Sequence, residues 1–84
     1  MNFSDEQIEV IKTQVTEWDM DKSVKRACEE LSELQTALLH YDRGKCDVVN
    51  VLEEMADVAI AIEHLQIKFG SCQLEVNKRV GKDA

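Results

Sequence analysis

The sequence predicts an all-α fold, and three observations carry that expectation. The 84 residues contain no proline and only three glycines, so little in the chain interrupts long helices. Apolar residues recur at helical spacing through its middle. Four capping signals are separated by three breaks.

Ser4 followed by Gln7 has the capping-box pattern and opens a first helix running to about Trp18. A break at Trp18 to Asp21 leads to a second helix, with Asp21 expected as its cap and its end near Tyr41, before Asp42, Arg43, Gly44 and Lys45. Asp47 is the expected cap of a third helix that ends at Gly70, the residue type that best tolerates a left-handed cap. Ser71 then caps a short fourth helix to about Val80. There is no linker, low-complexity tract or long internal repeat, so residues 1–84 read as a single domain.

In the second helix Val24, Ala27, Cys28, Leu31, Leu34, Leu38 and Tyr41 make one apolar stripe. Glu30 falls at its edge, Glu33 just beyond, and Glu29 on the solvated side. The third helix carries two apolar faces: Val51, Leu52, Met55, Val58, Ala59, Ile62 and Leu65 form one, and Val49, Ala56, Ile60 and Ile67 the other. A helix covered on both sides is hard to accommodate in a small monomer, so self-association is expected. Between the faces runs a polar strip of Asn50, Glu54, Asp57 and His64, where the small Ala61 leaves room.

Composition narrows the function. A formal net charge of −7 and a pI of about 4.7 argue against nucleic-acid polymers and anionic membranes as partners. Cys28, Cys46 and Cys72 have neither CxxC spacing nor a nearby His pair, which disfavours zinc and a disulfide framework. The N-terminal MNFSDEQIEV lacks the basic and apolar regions of a signal peptide, and charges interrupt Val48 to Phe69. A reduced, cytoplasmic protein is the expectation.

Any single Glu on a helix is ordinarily a solvated residue. Here ExxE (Glu30, Glu33) and ExxD (Glu54, Asp57) lie on consecutive helices joined by a short loop. Two antiparallel helices so joined can gather all four carboxylates, and the cluster would lose stability unless a cation compensated it. Oxygen-only ligands select magnesium or manganese. A dinuclear iron bundle would require Glu-x-x-His pairs, which are missing.

The two units, with twenty residues between Glu33 and Glu54, resemble the paired metal motifs of the MazG-like all-α nucleoside triphosphate pyrophosphohydrolases. That superfamily also holds dimeric dUTPases and phosphoribosyl-ATP pyrophosphohydrolases. The similarity covers roughly Trp18 to Arg79: an aromatic residue before the motif helix, EELSEL, a loop with Arg43, Gly44 and Lys45, LEEMADV, and a closing helix with Asn77, Lys78 and Arg79. An isolated ExxE carries almost no information; the ordered pair in a small helical chain carries the resemblance.

The resemblance implies a four-helix subunit with two long antiparallel motif helices, assembled into an intertwined helical bundle as a homodimer or homotetramer. It implies that Glu30, Glu33, Glu54 and Asp57 hold Mg2+, with Mn2+ as a possible substitute, and that water attacks the α-phosphorus of a nucleoside triphosphate. The products are nucleoside monophosphate and pyrophosphate, as in house-cleaning of nucleotide pools. Glu33 and Glu54 are the candidates for orienting the water. Lys45, Lys78 and Arg79 are candidate phosphate contacts, Asn77 a sugar or phosphate contact, and Trp18 a stacking platform for the base; His40 and His64 are expected to be structural. Two competing readings are a small acidic regulatory module that dimerises without catalysis and a cation-binding relic that no longer turns over.

Overall fold

The computed structural model describes residues 2–81, which form four helices and no strand. These are α1 (Asp5–Thr16), α2 (Met20–Asp42), α3 (Val48–Phe69) and α4 (Gln73–Gly81). Both α1 and α2 pack on α3.

The helix starts follow local chemistry. Ser4 Oγ accepts the Gln7 N–H at 3.1 Å while Gln7 Oε1 accepts the Ser4 N–H at 2.8 Å, closing the expected capping box. Asp47 caps α3 by accepting the Asn50 N–H at 3.0 Å. In α2 the cap is Asp19 rather than the expected Asp21. Asp19 is extended (φ −77°, ψ 174°) and its carboxylate accepts the Lys22 N–H at 2.8 Å. Asp21 is already inside the first turn and pairs with Lys25 at 3.0 Å. Two further boundaries shift: α1 stops at Thr16, before Trp18, and α4 begins at Gln73. Ser71 Oγ does accept the Gln73 N–H at 3.1 Å, but the Cys72 carbonyl takes the Val76 N–H and opens the helix.

Two glycines set the connections. Gly44 (φ 72°) reverses the chain between α2 and α3, and the Gly44 and Lys45 N–H groups bond back to Tyr41 and His40 carbonyls at 3.0 and 2.8 Å. Gly70 (φ 110°) ends α3 with its N–H on the Gln66 carbonyl at 2.8 Å. An L-side chain at either position would be strained.

The faces that meet are not those the hydrophobic pattern indicates. On α2 the buried positions are Ser23, Ala27, Glu30 and Ala37, spaced four, three and seven residues apart, so they form one stripe. Only Ala27 of the expected apolar stripe is buried; Val24, Cys28, Leu31, Leu38 and Tyr41 are exposed and Leu34 is half-buried. On α3 the polar strip turns inward, with Ala61 and His64 buried, Asn50 and Glu54 half-buried and Asp57 exposed. Leu52, Met55 and Ile62 face outward. Among the described larger aliphatic side chains only Ile11, Val15 and Val58 are buried. Apart from Val58, the buried positions of α2 and α3 are therefore small or polar, and much of each apolar face stays exposed. Helix α4 contributes no buried residue. No described helix is long and apolar enough to cross a membrane.

Candidate metal centre

Antiparallel packing of α2 on α3 sets Glu30 and Glu33, one turn apart, opposite Glu54 and Asp57. One oxygen from each of the four carboxylates lies within 4.8 Å of all the others. In an octahedral Mg2+ shell, adjacent ligand oxygens are about 3.0 Å apart and opposite ones about 4.2 Å. A small inward movement of the side chains would meet that spacing.

Glu30 is the most deeply placed of the four, at 3% exposure. Its Oε1 accepts from Arg26 Nη2 at 2.9 Å. Its Oε2, and Oε2 of Glu54, are buried with no hydrogen-bond partner among the described residues. Buried carboxylate oxygens without donors are costly and fit a ligand of positive charge. The donor set is all oxygen, which suits a hard divalent cation.

The electrostatics agree. Burial pushes the Glu30 carboxyl above its ordinary pKa; Arg26 opposes this, while Glu33, Asp57 and Glu29 add to it. Glu54 is also raised, first by burial and then by the Glu33, Asp57 and Glu30 charges. Burial and mutual repulsion thus disfavour the charged form of two of the four carboxylates, and a cation at the cluster would offset both effects. Glu29 and Glu53, the adjacent acids in the sequence, are exposed.

A cavity of about 630 Å³ opens beside the carboxylates, with Glu30 and Asp57 in its wall together with Trp18, Lys22, Arg26 and His64. Its size is that of small-molecule pockets. Trp18 sits at the α1–α2 junction, its carbonyl held by Lys68 Nζ. The Lys22 ammonium lies 4.9 Å from the Trp18 ring centroid, and the His64 ring meets Trp18 edge-on at 4.9 Å. A smaller cavity of about 240 Å³ on the other side is lined by Glu33, Thr36, His40, Asn50 and Glu54. The chain matches no protein-family model, no curated protein and no solved structure.

Of the residues singled out in the sequence, the fold brings the four carboxylates together and sets Trp18 and His64 in one cavity wall with Glu30 and Asp57. Lys45 stands exposed in the α2–α3 turn and lines neither cavity beside the carboxylates. On α4, Asn77 Oδ1 accepts from Gln73 Nε2 at 2.8 Å, and Lys78 and Arg79 both pair with Glu75 at 3.3 Å. These three are exposed and outside both cavities within this chain.

Sequence reasoning missed Lys22 and Arg26; it set His64 on the polar strip with Glu54 and Asp57 but not against Trp18 in the cavity wall. Arg26 stands four residues before Glu30, a spacing that pairs side chains on a helix. His64 follows Asp57 by seven residues and so projects from the same side of α3 two turns on. It is 6% exposed, and neither ring nitrogen has a partner among the described residues. Burial, helped by the Arg26 charge and opposed by Glu63, lowers its pKa and favours the neutral imidazole.

Proposed function

We propose that this protein is a Mg2+-dependent nucleoside triphosphate pyrophosphohydrolase of the MazG-like kind, releasing nucleoside monophosphate and pyrophosphate. The observation that carries the reading is the convergence of Glu30, Glu33, Glu54 and Asp57, with buried oxygens on Glu30 and Glu54 that lack donors. A magnesium centre held there, with Mn2+ as a substitute, would neutralise phosphate charge and lower the pKa of a bound water. The residues of the chain divide the remaining work. Trp18 offers an aromatic face to a base, and Lys22 and Arg26 give the cavity the positive charge that an anionic substrate requires. Glu33 and Glu54 line the smaller cavity, where either can orient a water or accept its proton. The reading includes a role in clearing a nucleotide pool in the cytoplasm.

The reading includes self-association into a homodimer or homotetramer. The chain has an accessible surface of 6481 Å², against roughly 5,100 Å² for a compact monomer of its mass. The excess of about 1,400 Å² per chain is larger than the roughly 800 Å² that each partner buries in a standard-size interface. In such an assembly Asn77, Lys78 and Arg79 are available to a neighbouring copy's site. The same exposed faces also suit a regulatory binding module without catalysis.

The test is pyrophosphate release across a panel of standard and modified nucleoside triphosphates, with magnesium and with chelator. Magnesium-dependent release of pyrophosphate and monophosphate is expected. A magnesium-induced rise in melting temperature without turnover of any nucleotide would leave a cation-binding protein and sink the enzymatic reading. Absence of both responses would favour the binding module.

A further inference from the structure

Arg26 holds the one ion pair made by the buried Glu30 among the described residues. Its Nη2 lies 2.9 Å from Glu30 Oε1, and its Nη1 lies 3.6 Å from Glu29 Oε2. The two partners differ in freedom: the Glu30 side chain is 4% exposed and the Arg26 side chain 52%. The carboxylate is fixed in the seam, whereas the guanidinium can swing about its stem. Arg26 also lines the larger cavity beside Lys22 and Trp18.

We infer that Arg26 is an exchangeable counter-ion: it pairs with Glu30 while the carboxylate cluster lacks a divalent cation, and transfers to a phosphate oxygen of the nucleotide when the cluster is loaded. The inference rests on the proposed cation site and names the residue that couples it to the substrate. Two features of the chain support it. Glu30 can satisfy a divalent cation with Oε2, which has no donor, but its charge then no longer holds Arg26 as strongly, and two cations side by side repel. The released guanidinium remains at the cavity wall, where its five donors match the oxygens of a phosphate. Arg26 would thus stabilise the folded chain without metal and contact substrate with it. Its departure from Glu30 and its arrival at phosphate are the two ends of one exchange.

The exchange predicts opposite effects of a single substitution on two ligands. Calorimetry would titrate wild type and Arg26→Ala with magnesium chloride alone, then with the four α,β-methylene deoxynucleoside triphosphates in magnesium. Arg26→Ala should bind magnesium alone more tightly, by about threefold to fivefold, because a partly exposed ion-pair partner no longer competes. It should bind the analogue that wild type prefers about 10- to 100-fold more weakly, the range for losing a hydrogen bond to a charged group. Arg26→Lys should recover part of the analogue affinity, and Arg26→Gln, which keeps the stem, serves if the alanine variant does not fold. Weakened magnesium binding in Arg26→Ala or Arg26→Gln, or unchanged analogue affinity, would overturn the exchange while leaving the cation site standing. A wild-type protein that binds no magnesium would overturn the site itself.

Discussion

Glu54 is partly buried on the polar strip of α3, and its carboxyl is held above its ordinary pKa by burial and by Glu33, Asp57 and Glu30. A raised folded-state pKa means that the folded chain binds the proton more tightly than the unfolded chain. The group therefore favours folding when protonated, and that contribution is lost as pH rises through the folded-state value. Glu54→Gln removes the charge permanently. In chelator the variant should melt above wild type at about pH 8, and the gap should close as pH falls towards about 5. Turnover should fall by more than about 100-fold, since even outer partners of metal ligands cost up to that much. Glu29→Gln and Glu53→Gln, at exposed positions, should leave both properties near wild type. Melting curves against pH and pyrophosphate release check the set, and greater sensitivity at Glu29 or Glu53 would refute this assignment of the cluster. Spacing alone was enough to find the four acids, because ExxE and ExxD fix both helical phase and order. It was not enough for His64, whose importance comes from burial beside Trp18, or for Arg26, whose partner lies on its own helix but whose open side faces a cavity made with α3.

At the scale of the helices, caps and breaks were legible because they are local. Ser4, Asp47, Gly44 and Gly70 act on residues within one turn. The start of α2 was misplaced because two aspartates stand two residues apart and either has the side chain to cap. Backbone geometry decides for Asp19. Asp19→Ala should lower stability by about 1 kcal/mol, as cap losses do. Asp21→Ala, which removes an exposed pair with Lys25, should cost about 0.3–0.5 kcal/mol. Urea denaturation of the two variants compares them directly, and a larger loss at Asp21 would reverse the cap assignment. Which faces of α2 and α3 meet was not legible. Periodicity reports that a stripe will be covered, but it does not say whether the next helix or another molecule covers it. Here Ala27 and Ala37 allow α2 to approach α3 along a polar line, leaving Leu31 and Leu38 outside.

For the whole molecule the radius of gyration is 14.7 Å, larger than the roughly 12 Å of a compact domain of this length. Extended dimensions and excess surface together support the proposed self-association. Light scattering at micromolar concentration should give a mass at least twice 9.6 kDa. Leu31→Glu, at a position half exposed in the single chain, should lower that mass, and a stable monomeric wild type would exclude the assembly. The seam between α2 and α3 has a wider consequence for which substitutions the chain can accept. In most helical proteins exposure marks the positions where evolution is free to wander. In the proposed assembly the exposed leucines, isoleucines and methionines would carry the constraint normally felt by a core, while the enclosed Ser23, Ala27, Ala37 and Ala61 are confined by size and Glu30 by charge. A tally of tolerated variants should then follow the geometry of the proposed assembly and cation site, and solvent accessibility in a lone chain would misjudge which positions are permissive.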